Sequence, residues 1–107
     1  MKAGTIVISN FSGVVSSKRR PAVVISSEIY HRERPDVILA LVTTNVASAT
    51  SATDYILQDR SSANLNRPSA VKNFLFTLPK SEIEEIDELS ERDWAEVRKR
   101  LQISIEI

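Results

Sequence analysis

At 107 residues, 42% hydrophobic and 26% charged with no cysteine, the chain reads as one globular domain, 1–107, outside the disordered, disulfide-framed and thiolate-metal classes. Apolar runs such as VILALV at Val37 to Val42 are far shorter than the roughly 20 residues of a membrane-spanning helix, and no signal-peptide pattern opens the chain, so a cytoplasmic location with no membrane contact is expected. Net charge is zero but unevenly spread: Met1 to Lys80 carries ten Lys/Arg against five Asp/Glu, and Ser81 to Ile107 four against nine, which gives a basic body suited to a polyanion and an acidic tail.

In chain order, the β-branched alternation of Gly4 to Phe11, GTIVISNF, predicts a first strand, and SGVVSS at Ser12 to Ser17 a turn. A second strand, PAVVIS from Pro21 to Ser26, starts on a proline, where a missing N–H costs least. Proline biases the preceding Arg20 toward an extended backbone. The polar segment Ser27 to Pro35 predicts a turn or short helical loop. Val37 to Thr43 reads as a central strand, apolar on both faces. Thr53 to Leu57 and Ser69 to Phe74 give two further strands around a loop rich in Ser, Asn and Asp. Ile83, Ile86 and Leu89 fit either a short helix or an edge strand. Ser90 with Asp93 three residues on resembles a capping box and starts a helix from about Glu91 to Gln102. Its stripe Trp94, Val97 and Leu101 is assigned to packing on the sheet. Short strands without long helices between them favour a small, strongly bent antiparallel sheet or barrel.

The segment Lys18 to Thr44, KRRPAVVISSEIYHRERPDVILALVTT, combines cations, a fixed turn and a threonine-ended strand. Arg20 offers a rigid two-pronged donor suited to a phosphate, and Thr43 and Thr44 offer hydroxyls if neighbouring strand ends converge. Arginine and threonine are common, and a surface ion pair or simple β-propensity is the better explanation of each residue taken alone.

The order of the motifs is more specific. G-x-I-V-x-x-x-F at Gly4 to Phe11, K-R-R-P-A-V-V-I-S-S at Lys18 to Ser27, D-V-I-L-A-L-V-T-T at Asp36 to Thr44, SAVKNFLFTL at Ser69 to Leu78 and L-S-E-R-D-W-A-E-V-R-K-R-L at Leu89 to Leu101 together resemble the PemK/MazF family of toxin endoribonucleases. The resemblance implies an SH3-like antiparallel β-barrel with a C-terminal helix, and a homodimer blocked by a cognate antitoxin protein. It also implies cleavage of single-stranded RNA that needs no metal and no cofactor, by attack of the RNA's own 2′-hydroxyl. Carried over by motif, the catalytic residues are Arg20 and Thr43. Lys18, Arg19, Thr44 and Lys72 become RNA contacts. The motifs supply no evident general base. His31 is the candidate because histidine titrates near neutrality. The same residues also fit a barrel that binds RNA or antitoxin without cutting, or a gyrase poison, since a related toxin class shares the barrel.

Overall fold

The computed structural model describes residues 1–12 and 17–107, with side chains described for 1–9 and 19–107. The turn expected at 12–17 falls mostly outside them. The chain forms β1 (Thr5–Ser12), β2 (Ser17–Val24), α1 (Glu28–Glu33), β3 (Asp36–Thr43), β4 (Tyr55–Ile56), β5 (Ala70–Pro79), β6 (Ile83–Glu88) and α2 (Glu91–Ser104). All pairings are antiparallel, in the order β4-β5-β3-β2-β1-β6. The segment around Ile83 is thus an edge strand paired with β1, Ile83 opposite Ser9 and Ile86 at a register shift, so the two isoleucines pack on opposite faces of the sheet.

Strand alternation buries both faces of the sheet's centre. Ile6, Val23, Ala40, Val42 and Val71 point to one face, where Val97, Trp94 and Leu101 of α2 cover them. Val7, Ala22, Val24, Val37 and Leu39 point to the other and pack with Phe76, Leu78 and Ile83. The sheet is not closed into a barrel among the described residues. Its outer strands differ in length, two residues in β4 against six in β6, and α2 covers one face of the sheet.

Two contacts set the helix on the sheet. Gly4 holds φ at +93°, so the tight turn into β1 calls for glycine, and the Trp94 ring packs over it, 3.4 Å from where a Cβ would lie. At the helix start the Ser90 hydroxyl accepts the Asp93 N–H at 3.1 Å, the expected cap. Asp93 does not complete a capping box. Its fully buried carboxylate instead accepts from the Tyr55 hydroxyl at 2.6 Å and from the backbone N–H groups of Gln58 and Asp59 at 3.0 and 2.8 Å. Burial, then the bond to Asp93, pushes the Tyr55 phenol well above its ordinary value. One carboxylate thereby ties α2 to β4 and the loop that follows it.

Candidate active site

The β2–β3 ladder pairs Val24 with Leu39, Val23 with Ala40 and Ala22 with Leu41, and stops there. The next residue on β2 is Pro21, which has no N–H to extend the ladder. Continued two positions, the same register sets Arg20 opposite Thr43, both on the face turned away from α2. Arg19, Arg20, Pro21, Val42, Thr43 and Thr44 line an open cleft of about 370 Å³ at this point. Proline thus ends the pairing where the two candidate side chains face each other.

Each side chain is prepared differently. The backbone of Arg20 is fixed by β1, where the buried Ser9 hydroxyl donates to the Arg20 carbonyl at 3.0 Å. No carboxylate among the described residues engages its guanidinium, which is exposed toward the cleft. Arg19 has the opposite strand parity, and its guanidinium pairs with Glu84 of β6. Both partners are well exposed, so this pair contributes little to stability. Thr43 Oγ1 accepts the Asn45 N–H at 3.1 Å. With its oxygen engaged in this turn, the hydroxyl proton remains to be donated outward. Thr44 is exposed, and its carbonyl accepts the Val46 N–H at 3.0 Å.

Lys72 of β5 lies opposite Leu41, on the cleft side of the sheet. Its ammonium donates to the Ser48 carbonyl at 3.3 Å, and the neighbouring Asn73 amide donates to the Thr53 carbonyl. These two residues hold both ends of the loop that follows Thr44. Lys18 pairs with Phe11 in the β1–β2 ladder, and its side chain lies outside the described residues.

His31 is a correction. The candidate general base is a buried residue of α1 and does not line the cleft. Its Nδ1 lies 3.0 Å from the Met1 carbonyl and its Nε2 2.5 Å from the Ser26 hydroxyl. A carbonyl can only accept, so Nδ1 carries the proton and Nε2 accepts from Ser26. Ser26 also accepts the Ile38 N–H at 3.0 Å, and Ile38 is five residues from Thr43, roughly 16 Å along the strand. The ring is satisfied and far from the cleft. The described lining contains neither imidazole nor carboxylate.

Three contributors escaped sequence reasoning. Ser9 follows Val7 on the inward face of β1, a signal that alternation carried. The burial of Asp93 depends on Tyr55 and Gln58, remote in sequence. The exposure of Phe74 on a bulge of β5 had no sequence signal.

The family model described as PemK-like, MazF-like toxin of type II toxin-antitoxin system matches residues 2–105. No curated protein matches the chain. Among solved structures, a MazE-MazF complex from Deinococcus radiodurans is similar with a TM-score of 0.77 and 22% identity, covering 100% of this chain and 96% of that one. An endoribonuclease in complex with its cognate antitoxin from a mycobacterial species has a TM-score of 0.76 and 18% identity, with 97% and 93% covered. The Mycobacterium tuberculosis toxin MazF-mt6 has 0.75 and 20%, with 94% of each chain covered. At these identities the likenesses establish a shared fold.

Proposed function

The chain belongs to the PemK-like, MazF-like family of toxins of type II toxin-antitoxin systems, and on that basis we propose that it is an endoribonuclease acting on single-stranded RNA in the cytoplasm. The observation that carries this reading is the Arg20 guanidinium, engaged by no carboxylate among the described residues, set in one cleft with the Thr43 hydroxyl where the β2–β3 ladder ends. The whole chain, 1–107, works as one toxin domain and pairs as a homodimer. A cognate antitoxin restrains it, as the solved complexes of its structural relatives support.

In the proposed reaction the 2′-hydroxyl of one nucleotide attacks its own 3′-phosphorus. A bond forms from O2′ to phosphorus as the 2′-hydroxyl gives its proton to water, the bond to the next nucleotide's O5′ breaks as that oxygen takes a proton from water, and a 2′,3′-cyclic phosphate and a 5′-hydroxyl result. The nucleophile resides in the substrate, so neither a metal nor an activated side chain is required. Arg20 places two parallel N–H donors on the non-bridging oxygens as negative charge gathers there, and Thr43 fixes the phosphate's orientation. A guanidinium keeps its proton at any working pH, so its contribution is charge stabilisation. Thr44 and Arg19 flank the path of the RNA, Lys18 adds positive charge to strand β2, and Lys72 acts by holding the loop beyond Thr44. Fragments of a defined single-stranded RNA incubated with the protein in EDTA should end in cyclic phosphate. RNA left intact under those conditions would overturn this reading and favour a family member that binds without cutting, the alternative supported by the lack of an acid or base in the described lining.

A further inference from the structure

The β3–β5 ladder pairs Leu41 with Lys72 and then Ala40 with Leu75, so Asn73 and Phe74 form a two-residue bulge on β5. Bulges turn side chains out of the regular pleat and cluster next to functional sites. Phe74 is 65% exposed, and it is the one aromatic among the exposed large hydrophobic residues described. Its ring rests against Phe76, with centroids 6.4 Å apart, and Phe76 packs on the core at the face away from α2. The ring is therefore propped in place on the same face as Arg20, Thr43 and Lys72. Level with the gap between Leu41 and Ala40, it stands about 8 Å along the strands from Thr43 and one strand over, about 5 Å. That separation brings it within reach of a base on a nucleotide bordering the phosphate held by Arg20 and Thr43.

We propose that Phe74 is a stacking platform for an unpaired RNA base next to the scissile phosphate, and that the β5 bulge is a base-selecting element of the toxin. The inference rests on the ribonuclease reading and adds to it a residue that senses the base instead of the backbone. Every base offers a π-face, and a propped aromatic ring gains stacking energy without ordering cost at the moment of binding. The surroundings suit a nucleotide better than a second protein surface. Lys72 and Asn73 precede the ring, and beyond its support Phe76 the exposed Thr77 follows on the strand, so polar groups able to meet a nucleotide flank it on both sides. Asn73 Oδ1, on the same bulge, is buried with no hydrogen-bond partner among the described residues.

The test uses a short, labelled single-stranded DNA of mixed sequence, which has no 2′-hydroxyl and so binds without being cut. Fluorescence anisotropy would compare the native protein, Phe74→Ala and Phe74→Trp, with sedimentation to follow oligomeric state and primer extension to map cut sites on RNA. Phe74→Ala should bind roughly five- to a hundredfold more weakly at unchanged mass, Phe74→Trp should bind as the native protein does, and the alanine variant should cut with altered base preference. Native affinity and an unchanged cut map in Phe74→Ala would overturn the inference alone. Weaker binding that tracks dissociation of the dimer would overturn it too, and assign the ring to a contact between chains. Failure of the native protein to bind the DNA while it still cuts RNA would overturn this inference alone, and failure to cut RNA would overturn the ribonuclease reading beneath it as well.

Discussion

Replacing Thr43 with valine keeps the β-branched shape and removes only the hydroxyl, so it separates the strand's need for that residue from the reaction's. Two hydrogen bonds are at stake. The first is the one Oγ1 accepts from the Asn45 N–H at 3.1 Å in an exposed turn. Water can take over that donor, and the loss should cost about 0.5–1 kcal/mol of stability. The second is the bond the freed proton donates to a charged phosphate oxygen, of the class that contributes about 1.5–3 kcal/mol. If that bond is made fully in the transition state, its loss lowers the rate roughly 10- to 150-fold. Single-turnover cleavage of a fluorogenic RNA reads the rate, and urea unfolding of the same preparations reads the stability. Thr43→Ser should restore most of the rate. A Thr43→Val protein that cuts at the native rate would refute the assignment of the hydroxyl. A rate loss explained entirely by a smaller folded population would refute it equally, because it would reduce Thr43 to a structural residue.

Asp93→Ala removes the acceptor shared by Tyr55, Gln58 and Asp59 and should lower stability by about 3–5 kcal/mol, read as a lower urea midpoint at an unchanged slope. The cleft does not include this residue, so the folded fraction should still cut RNA at low temperature. Asp59 is held below its ordinary value of 3.8 by hydrogen bonds from Arg92 first and Ser90 second. A depressed carboxylate stabilises the fold above its unfolded value and loses that contribution as pH falls through the native one. The native urea midpoint should therefore drop more steeply below about pH 4 than that of Arg92→Ala, and parallel curves for the two proteins would contradict the pairing.

Much of this architecture is legible in the sequence, and the exceptions share a cause. Strands β1 and β3 and α2 are readable because alternation and helical spacing are local, whereas β2 begins at Ser17 instead of Pro21 and ends at Val24 instead of Ser26, because Ser17 to Pro21 pair with Ile8 to Ser12 of β1. Strand β5 runs to Pro79 instead of ending at Phe74, because Phe76 to Pro79 pair with Asp36 to Leu39, a partnership between segments distant in sequence. Strand β4 shrinks to Tyr55 and Ile56 for the converse reason, having only Val71 and Ala70 to pair with. The site divides the same way. Arg20 and Thr43 could be singled out by motif order, but their apposition depends on where Pro21 ends the ladder. The polar flanks of His31 suggest solvent, while its burial comes from Ser26 and Met1. Phe74 reads as a strand residue until a bulge turns it outward.

Arg20 is the residue on which the account turns. The most direct measurement is a primer-extension map of cuts on single-stranded RNA in EDTA, comparing the native protein with Arg20→Ala at equal folded concentration. The account predicts defined cuts by the native protein and a loss of roughly 10²–10³-fold in their rate for the variant, the cost of removing one preorganised donor from a developing oxyanion. An Arg20→Ala protein that produced the same cuts at the native rate would contradict it.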